Sequence, residues 1–219
     1  MKKFINGICV EISGCGDPLF LLHGNGETHH IFEEAAPLLA PHFTLIMPDT
    51  RGHGESAPVR EYHYADMADD LLMLIRALKL PRAAVYGFSD GGITALLAAI
   101  ASPERISRVI ASGANTVPEG LTDDFLQEIG TQYEKTDDPL LRLILEEPHI
   151  DEAALAGISV PVHLIAGERD IVKPEHSEWL ARTIGCPLKV LKGETHESYV
   201  IHSTMVAHEI LQIMGVSDR

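Results

Sequence analysis

The chain has 219 residues, 45% of them hydrophobic, which is enough for one α/β domain with a proper core and cramped for two. Its formal net charge of −15 comes from acids spread along the chain, with no basic block to neutralise phosphates or meet an anionic membrane, which argues against nucleic acid and membrane as partners. Cys9, Cys15 and Cys186 have no metal-type C-x-x-C spacing, no unbroken apolar run follows Met1-Lys2-Lys3, and no stretch approaches the roughly 20 apolar residues of a membrane span, so a cytoplasmic protein is expected.

In chain order, Asn6-Gly7 marks a hairpin turn between two N-terminal strands. Short apolar segments bounded by Gly, Pro or Asp then predict strands over Pro18 to Leu22, Phe43 to Met47, Ala83 to Tyr86, Arg108 to Ala111, Val160 to Ala166 and Leu188 to Leu191. Helical stretches fill the gaps. Tyr64 to Leu80 carries Met67, Leu71, Leu74, Ile75 and Leu78 on one face, and Ile93 to Ala101 is almost wholly apolar and therefore buried. This alternation predicts a mostly parallel sheet covered on both faces. One interval breaks the rhythm. Between Gly113 and Ser159 lie about 45 residues where a crossover needs far fewer. Two short helices are predicted there, Thr122 to Glu134 and Pro139 to Glu146, and the segment from about residue 115 to 157 is expected to form a small helical lid, with a peripheral helix pair as the alternative.

Gly87-Phe88-Ser89-Asp90-Gly91-Gly92 falls between an apolar strand and an apolar helix. Two glycines and a serine at this spacing arise by chance in roughly one chain of this length in fifteen, so the flanking elements carry the signal. A serine at a sharp strand-to-helix turn is held in a strained conformation that exposes its hydroxyl, and the helix start aims free N–H groups at charge developing beside it. Serine needs a base and a carboxylate that holds the base's tautomer. Asp170, closing Gly167-Glu168-Arg169-Asp170 after a strong strand, and His196, in Gly193-Glu194-Thr195-His196 after the last strand, occupy those places; Glu168 and His202 are the competitors, and His208 lies within the terminal helical pattern.

For the tetrahedral oxyanion, the backbone N–H groups of Asn25, in His23-Gly24-Asn25-Gly26, and of Asp90 are the assigned donors. The Asp90 carboxylate must then point away from that pocket, with Arg51 or His53 as candidate partners, while the loop Asp49-Thr50-Arg51-Gly52-His53-Gly54 reads as scaffold. His23, His29 and His30 fall within eight residues, but adjacent His29 and His30 diverge in any regular element and no Cys or carboxylate pattern completes a ligand set, so no metal is expected.

With His23-Gly24, Asp49 to Ser56, Gly87 to Gly92, Gly-Glu-x-Asp ending at Asp170 and Gly-x-x-His ending at His196, the chain from about Pro18 onward resembles the α/β-hydrolase superfamily. The resemblance implies an eight-stranded, mostly parallel sheet, a Ser-Asp-His triad, and water as second acceptor without a cofactor. The departure is the lid, which has room for only two helices. The expected activity is that of a serine hydrolase acting on a small carboxylic ester, lactone or thioester through an acyl-enzyme on Ser89, with short acyl groups favoured by a shallow pocket. Carbon–carbon hydrolases, hydroxynitrile lyases and a non-catalytic ligand-binding receptor of the same fold are the alternatives. A dehalogenase is disfavoured, because its elbow needs an aspartate where this chain has Ser89. No interface pattern distinguishes a monomer from a homodimer.

Overall fold

In the computed structural model, which describes residues 1–216, Asn6 and Gly7 turn the chain between β1 (Lys2–Ile5) and β2 (Ile8–Gly14) with φ of 49° and 83°. Positive φ at both positions is what a two-residue hairpin with strand-matched twist demands. Six strands follow: β3 (Asp17–Leu22), β4 (Phe43–Pro48), β5 (Ala83–Phe88), β6 (Ile106–Ser112), β7 (Val162–Arg169) and β8 (Leu188–Thr195). Together they form one eight-stranded sheet in the order β1-β2-β4-β3-β5-β6-β7-β8. The first two strands pair antiparallel, and β3 to β8 run parallel. This is the mostly parallel α/β sheet that the sequence predicts.

The helices are α1 (Ala36–Leu39), α2 (Tyr64–Ala77), α3 (Asp90–Ala101), α4 (Asp123–Thr136), α5 (Pro139–Glu146), α6 (Glu152–Ala156), α7 (Pro174–Ile184) and α8 (Met205–Met214). The side chains alternating along each strand explain why the strands read as continuous apolar runs. In β3, Phe20 and Leu22 join a core shared with α2, α3 and α7, whereas Leu19 and Leu21 join a second core shared with α1 and α8. The parallel register sets Leu22 beside Gly87 and Gly87 beside Ala111, so the carboxyl ends of β3, β5 and β6 open at one rim.

Two helix boundaries differ from the periodicity. The central helix α3 begins at Asp90, three residues earlier than the apolar run implies, because Gly91 and Gly92 are helical despite their low propensity. A Cβ at Gly91 would lie 2.7 Å from Leu22 Cβ, so the close approach of helix and strand requires glycine there. At its other boundary α2 stops at Ala77, where Lys79 takes φ 56° and the amides of Leu80 and Lys79 return to the Ile75 and Arg76 carbonyls. This is a Schellman end without the glycine that normally signals it.

Between β6 and β7 the chain forms α4 and α5 close to the expected limits, and adds α6, which the sequence reading did not separate. Leu155 of α6 is fully buried in the core beneath α3 and α7, so that helix packs as an ordinary crossover would. The insertion is tied at its start, where Leu121 bridges to Val172 and Thr122 N–H donates to Ile171 O. Among the described residues, no helix is long and apolar enough to cross a membrane.

Candidate active site

Ser89 sits at the end of β5 with φ 52° and ψ −116°, a backbone conformation that L side chains rarely adopt. The elbow is over-determined by its surroundings. Ser89 N–H donates to Ser112 O at 2.8 Å, and the amides of Gly92 and Ile93 return to Ser89 O at 2.8 and 3.1 Å. A Cβ at Gly87 would press into the backbone of Gly91 and Gly92, so the first glycine of the pentapeptide keeps the turn tight.

His196 follows directly on β8, and its Nε2 lies 3.1 Å from Ser89 Oγ. Its Nδ1 lies 2.6 Å from Asp170 Oδ1. The Asp170 carboxylate also accepts the amides of Gly167 at 3.0 Å and Val172 at 3.1 Å. Burial alone would raise the Asp170 carboxyl, but the hydrogen bond and charge of His196, together with those two amides, bring it below the usual aspartate value. An ionised Asp170 holds the His196 Nδ1 proton and leaves Nε2 facing the serine. The competitors are elsewhere: Glu168 accepts Gly193 N–H, and His202 and His208 are exposed.

The loop after β3 is held by side chains from the neighbouring loop. His23 Nδ1 donates to Gly24 O, His23 Nε2 accepts Thr50 N–H, and His53 Nε2 accepts Gly26 N–H. Full burial lowers the pKa of His23 to about 4, so it is neutral in the fold. Among the described residues, the backbone hydrogen bonds of loops, turns and caps engage neither the Asn25 nor the Asp90 N–H, and both residues line the cavity that holds Ser89.

The Asp90 carboxylate is held by neither Arg51 nor His53. Tyr64 OH donates to Oδ1 at 2.7 Å and Asn25 Nδ2 donates to Oδ2 at 3.0 Å. Arg51 is instead taken by Asp66 and Asp70 on α2, at 2.6 and 2.7 Å, and His53 is engaged by the Gly26 amide. Tyr64 opens α2, which packs on α3 where Asp90 opens, and that juxtaposition has no local mark in sequence. Burial raises the Asp90 carboxyl, and the Tyr64 and Asn25 bonds only partly counter it. The Asp49 loop is internally tied, with Asp49 accepting the amides of His29 and Glu55. Contrary to the expected divergence, the His29 and His30 rings stack with centroids 4.3 Å apart, because the two residues open a short 3-10 turn, but His29 pairs with Asp49 and His30 with Glu33, and the described residues contain no cluster able to hold a metal ion.

The cavity measures about 610 Å³. Phe125 and Ile129 from α4, and Leu141 and Ile144 from α5, form its apolar wall opposite Ser89, Asp90 and His196. Two residues bordering the site escaped the sequence reading. Gly113, with φ 60°, packs so tightly on His196 that a Cβ would lie 2.6 Å from its Cε1. A glycine closing a strand that neighbours the elbow was its only signal. Glu27 lines the cavity, accepts Gly24 N–H at 2.8 Å and is raised by burial to about 7. Nothing in its local sequence marks it.

Residues 17–138 match a family model described as alpha/beta hydrolase fold. The human serine hydrolase BPHL is 27% identical over 96% of this chain and 86% of its own length. The pimeloyl-[acyl-carrier protein] methyl ester esterase of Photobacterium profundum is 31% identical over 62% of this chain and 56% of its own. Among solved structures, the enol-lactonase from Burkholderia xenovorans LB400 superposes with a TM-score of 0.79 at 20% identity, covering 98% of this chain and 100% of that one.

Proposed function

Since the chain belongs to the alpha/beta hydrolase family, we propose that it is a serine hydrolase that cleaves small carboxylic esters, with lactones and thioesters as close variants, through an acyl-enzyme on Ser89. The observation that carries this reading is the hydrogen-bonded sequence from Ser89 Oγ to His196 Nε2, and from His196 Nδ1 to Asp170, at 3.1 and 2.6 Å beside a cavity. The relatives named as a serine hydrolase and a methyl ester esterase support it.

In the acylation half, Ser89 Oγ attacks the carbonyl carbon as His196 Nε2 takes the hydroxyl proton. The carbonyl oxygen gains the negative charge and is met by the Asn25 and Asp90 amides, each such donor being worth on the order of a hundredfold in turnover. His196 returns the proton to the departing alcohol. Water then enters, gives its proton to His196 and releases the carboxylic acid and Ser89. Asp170 stays ionised and stabilises the imidazolium that forms in both halves. In this reading the chain is one domain, and residues from about 115 to 157 supply the lid, through the α4 and α5 side chains that wall the cavity.

Fluorophosphonate labelling of the wild type and of Ser89→Ala tests the chemistry. A Ser89-dependent adduct is expected, and its absence would leave a non-catalytic receptor as the better reading. A series of 4-nitrophenyl esters graded by chain length then tests the preference for short acyl groups, which fails when the longest chains turn over best.

A further inference from the structure

The polar end of the cavity carries more acid than the proposed chemistry uses. Glu27, Asp90, Glu147 and Glu197 all line it, against a single guanidinium among the described lining residues, that of Arg169, whose Nη2 donates to Gly193 O. Asp90 is held by Tyr64 and Asn25, and Glu147 by His63 and the Tyr64 amide. Glu27 differs. Its Oε2 accepts Gly24 N–H at 2.8 Å while its own amide donates to Gly24 O at 3.4 Å, so the side chain is pinned at both ends of the turn that carries Asn25. Its Oε1 takes no hydrogen bond among the described residues. A Cβ at Gly24 would lie 2.8 Å from Glu27 Oε2 and 3.2 Å from Ser89 Cβ, so carboxyl and nucleophile border the same backbone position.

Resting on the hydrolase reading above, we infer that Glu27 is a specificity-determining residue: with one oxygen fixed to the Gly24 amide and the other free in the cavity, it favours uncharged esters and turns away those bearing a carboxylate near the scissile bond. A second anion brought close to Ser89 meets this fixed carboxyl in a space partly closed to water, where like charges repel far more strongly than in bulk solvent. An uncharged group with an N–H or O–H donor instead supplies Oε1 with its missing partner. Arg169 does not offset the repulsion, because it is exposed and its guanidinium is directed to the Gly193 carbonyl. The charged groups that act on Glu27 are His196, which favours its ionisation, and Asp90 and Glu197, which oppose it. With burial added, its titration centres at about 7, so the filter strengthens across neutral pH.

The test compares monoethyl succinate with ethyl succinamate, which match in shape and differ in a carboxylate against an uncharged amide. Wild type and Glu27→Gln are assayed by ethanol release from pH 6 to pH 8, with 4-nitrophenyl acetate as reference. Glutamine keeps an oxygen for the Gly24 amide, and the ratio of kcat/KM values for the two esters cancels any change common to both. At pH 8 the wild type is expected to prefer the amide by about 10- to 100-fold, and the preference to grow from pH 6 to pH 8. Glu27→Gln should reduce it about tenfold and flatten its pH dependence. An unchanged ratio in Glu27→Gln overturns the inference, as does a wild-type preference for the monoacid, which would assign Arg169 to the carboxylate. Failure on both succinate esters by an enzyme active on 4-nitrophenyl acetate overturns it too, since the cavity has room for either. Absence of Ser89-dependent turnover of 4-nitrophenyl acetate instead removes the hydrolase reading itself.

Discussion

Gly113→Ala is expected to disable the proposed site from behind His196. The new Cβ would sit 2.6 Å from His196 Cε1 and 2.8 Å from Nδ1, where ordinary contact begins at 3.4 Å. The ring must therefore withdraw by roughly 0.8 Å, and the 3.1 Å approach of Nε2 to Ser89 then passes beyond hydrogen-bond range. Misplacement of about 1 Å costs on the order of a hundredfold in rate. A second cost falls on stability, because alanine at φ 60° is disfavoured by roughly 1–2 kcal/mol. The expected result with 4-nitrophenyl acetate at pH 8 is a fall in kcat of about a hundredfold with little change in KM, beside an unfolding free energy from urea titration lowered by about that amount. A folded Gly113→Ala enzyme with wild-type kcat would refute the reasoning, since His196 would then not depend on this contact.

Gly130 lies within α4, and a Cβ there would meet nothing within 4 Å, so Gly130→Ala is expected to stabilise the protein by about 0.5–1 kcal/mol, read as a higher urea midpoint at unchanged m-value. The fold also carries an acid-sensitive support in His23, whose pKa falls from 6.5 to about 4 on burial. Because the folded value is depressed, the neutral ring's contribution is fully present above pH 6.5 and is lost as pH falls through 4, amounting to at most about 3 kcal/mol. Urea midpoints of wild type and His23→Asn between pH 7.5 and pH 4 should converge toward the acid end, and parallel curves would show that His23 titrates alike in both states.

What could be read from the sequence follows from how local each cause is. The strand positions were legible because a parallel strand buried on both faces must be largely apolar, as Leu19 to Leu22 and Leu164 to Ala166 are. The start of α5 was legible at Pro139, where proline suits a first helical turn, and the structure adds an acidic cap there, with Asp138 accepting Leu140 N–H. Where a boundary depended on a contact with another element it was missed. The early start of α3 answers to the approach of Leu22, and the packing of α6 answers to α3 and α7, neither of which is coded in the helix itself.

The same division runs through the site. Ser89, Asp170 and His196 stand at strand ends, and a parallel sheet brings strand ends to one rim, so their proximity followed from topology alone. The partners of Asp90 did not, because charge suggested Arg51 while the fold supplies a phenol and an amide. That choice is chemically consequential. Tyr64 and Asn25 hold the carboxylate by neutral donors, leaving Arg51 to join the loop to α2 outside the cavity. Asn25 is then bound through its side chain to Asp90, while its backbone N–H is left free for the cavity, which couples the two proposed oxyanion donors in one rigid unit. Glu27 closes the same loop from the other side through Gly24. Two carboxyls thus flank the proposed oxyanion donors, each with an oxygen committed to a hydrogen-bond donor. Glu27 Oε1, which takes no hydrogen bond among the described residues, is the acceptor on which the inferred selectivity turns.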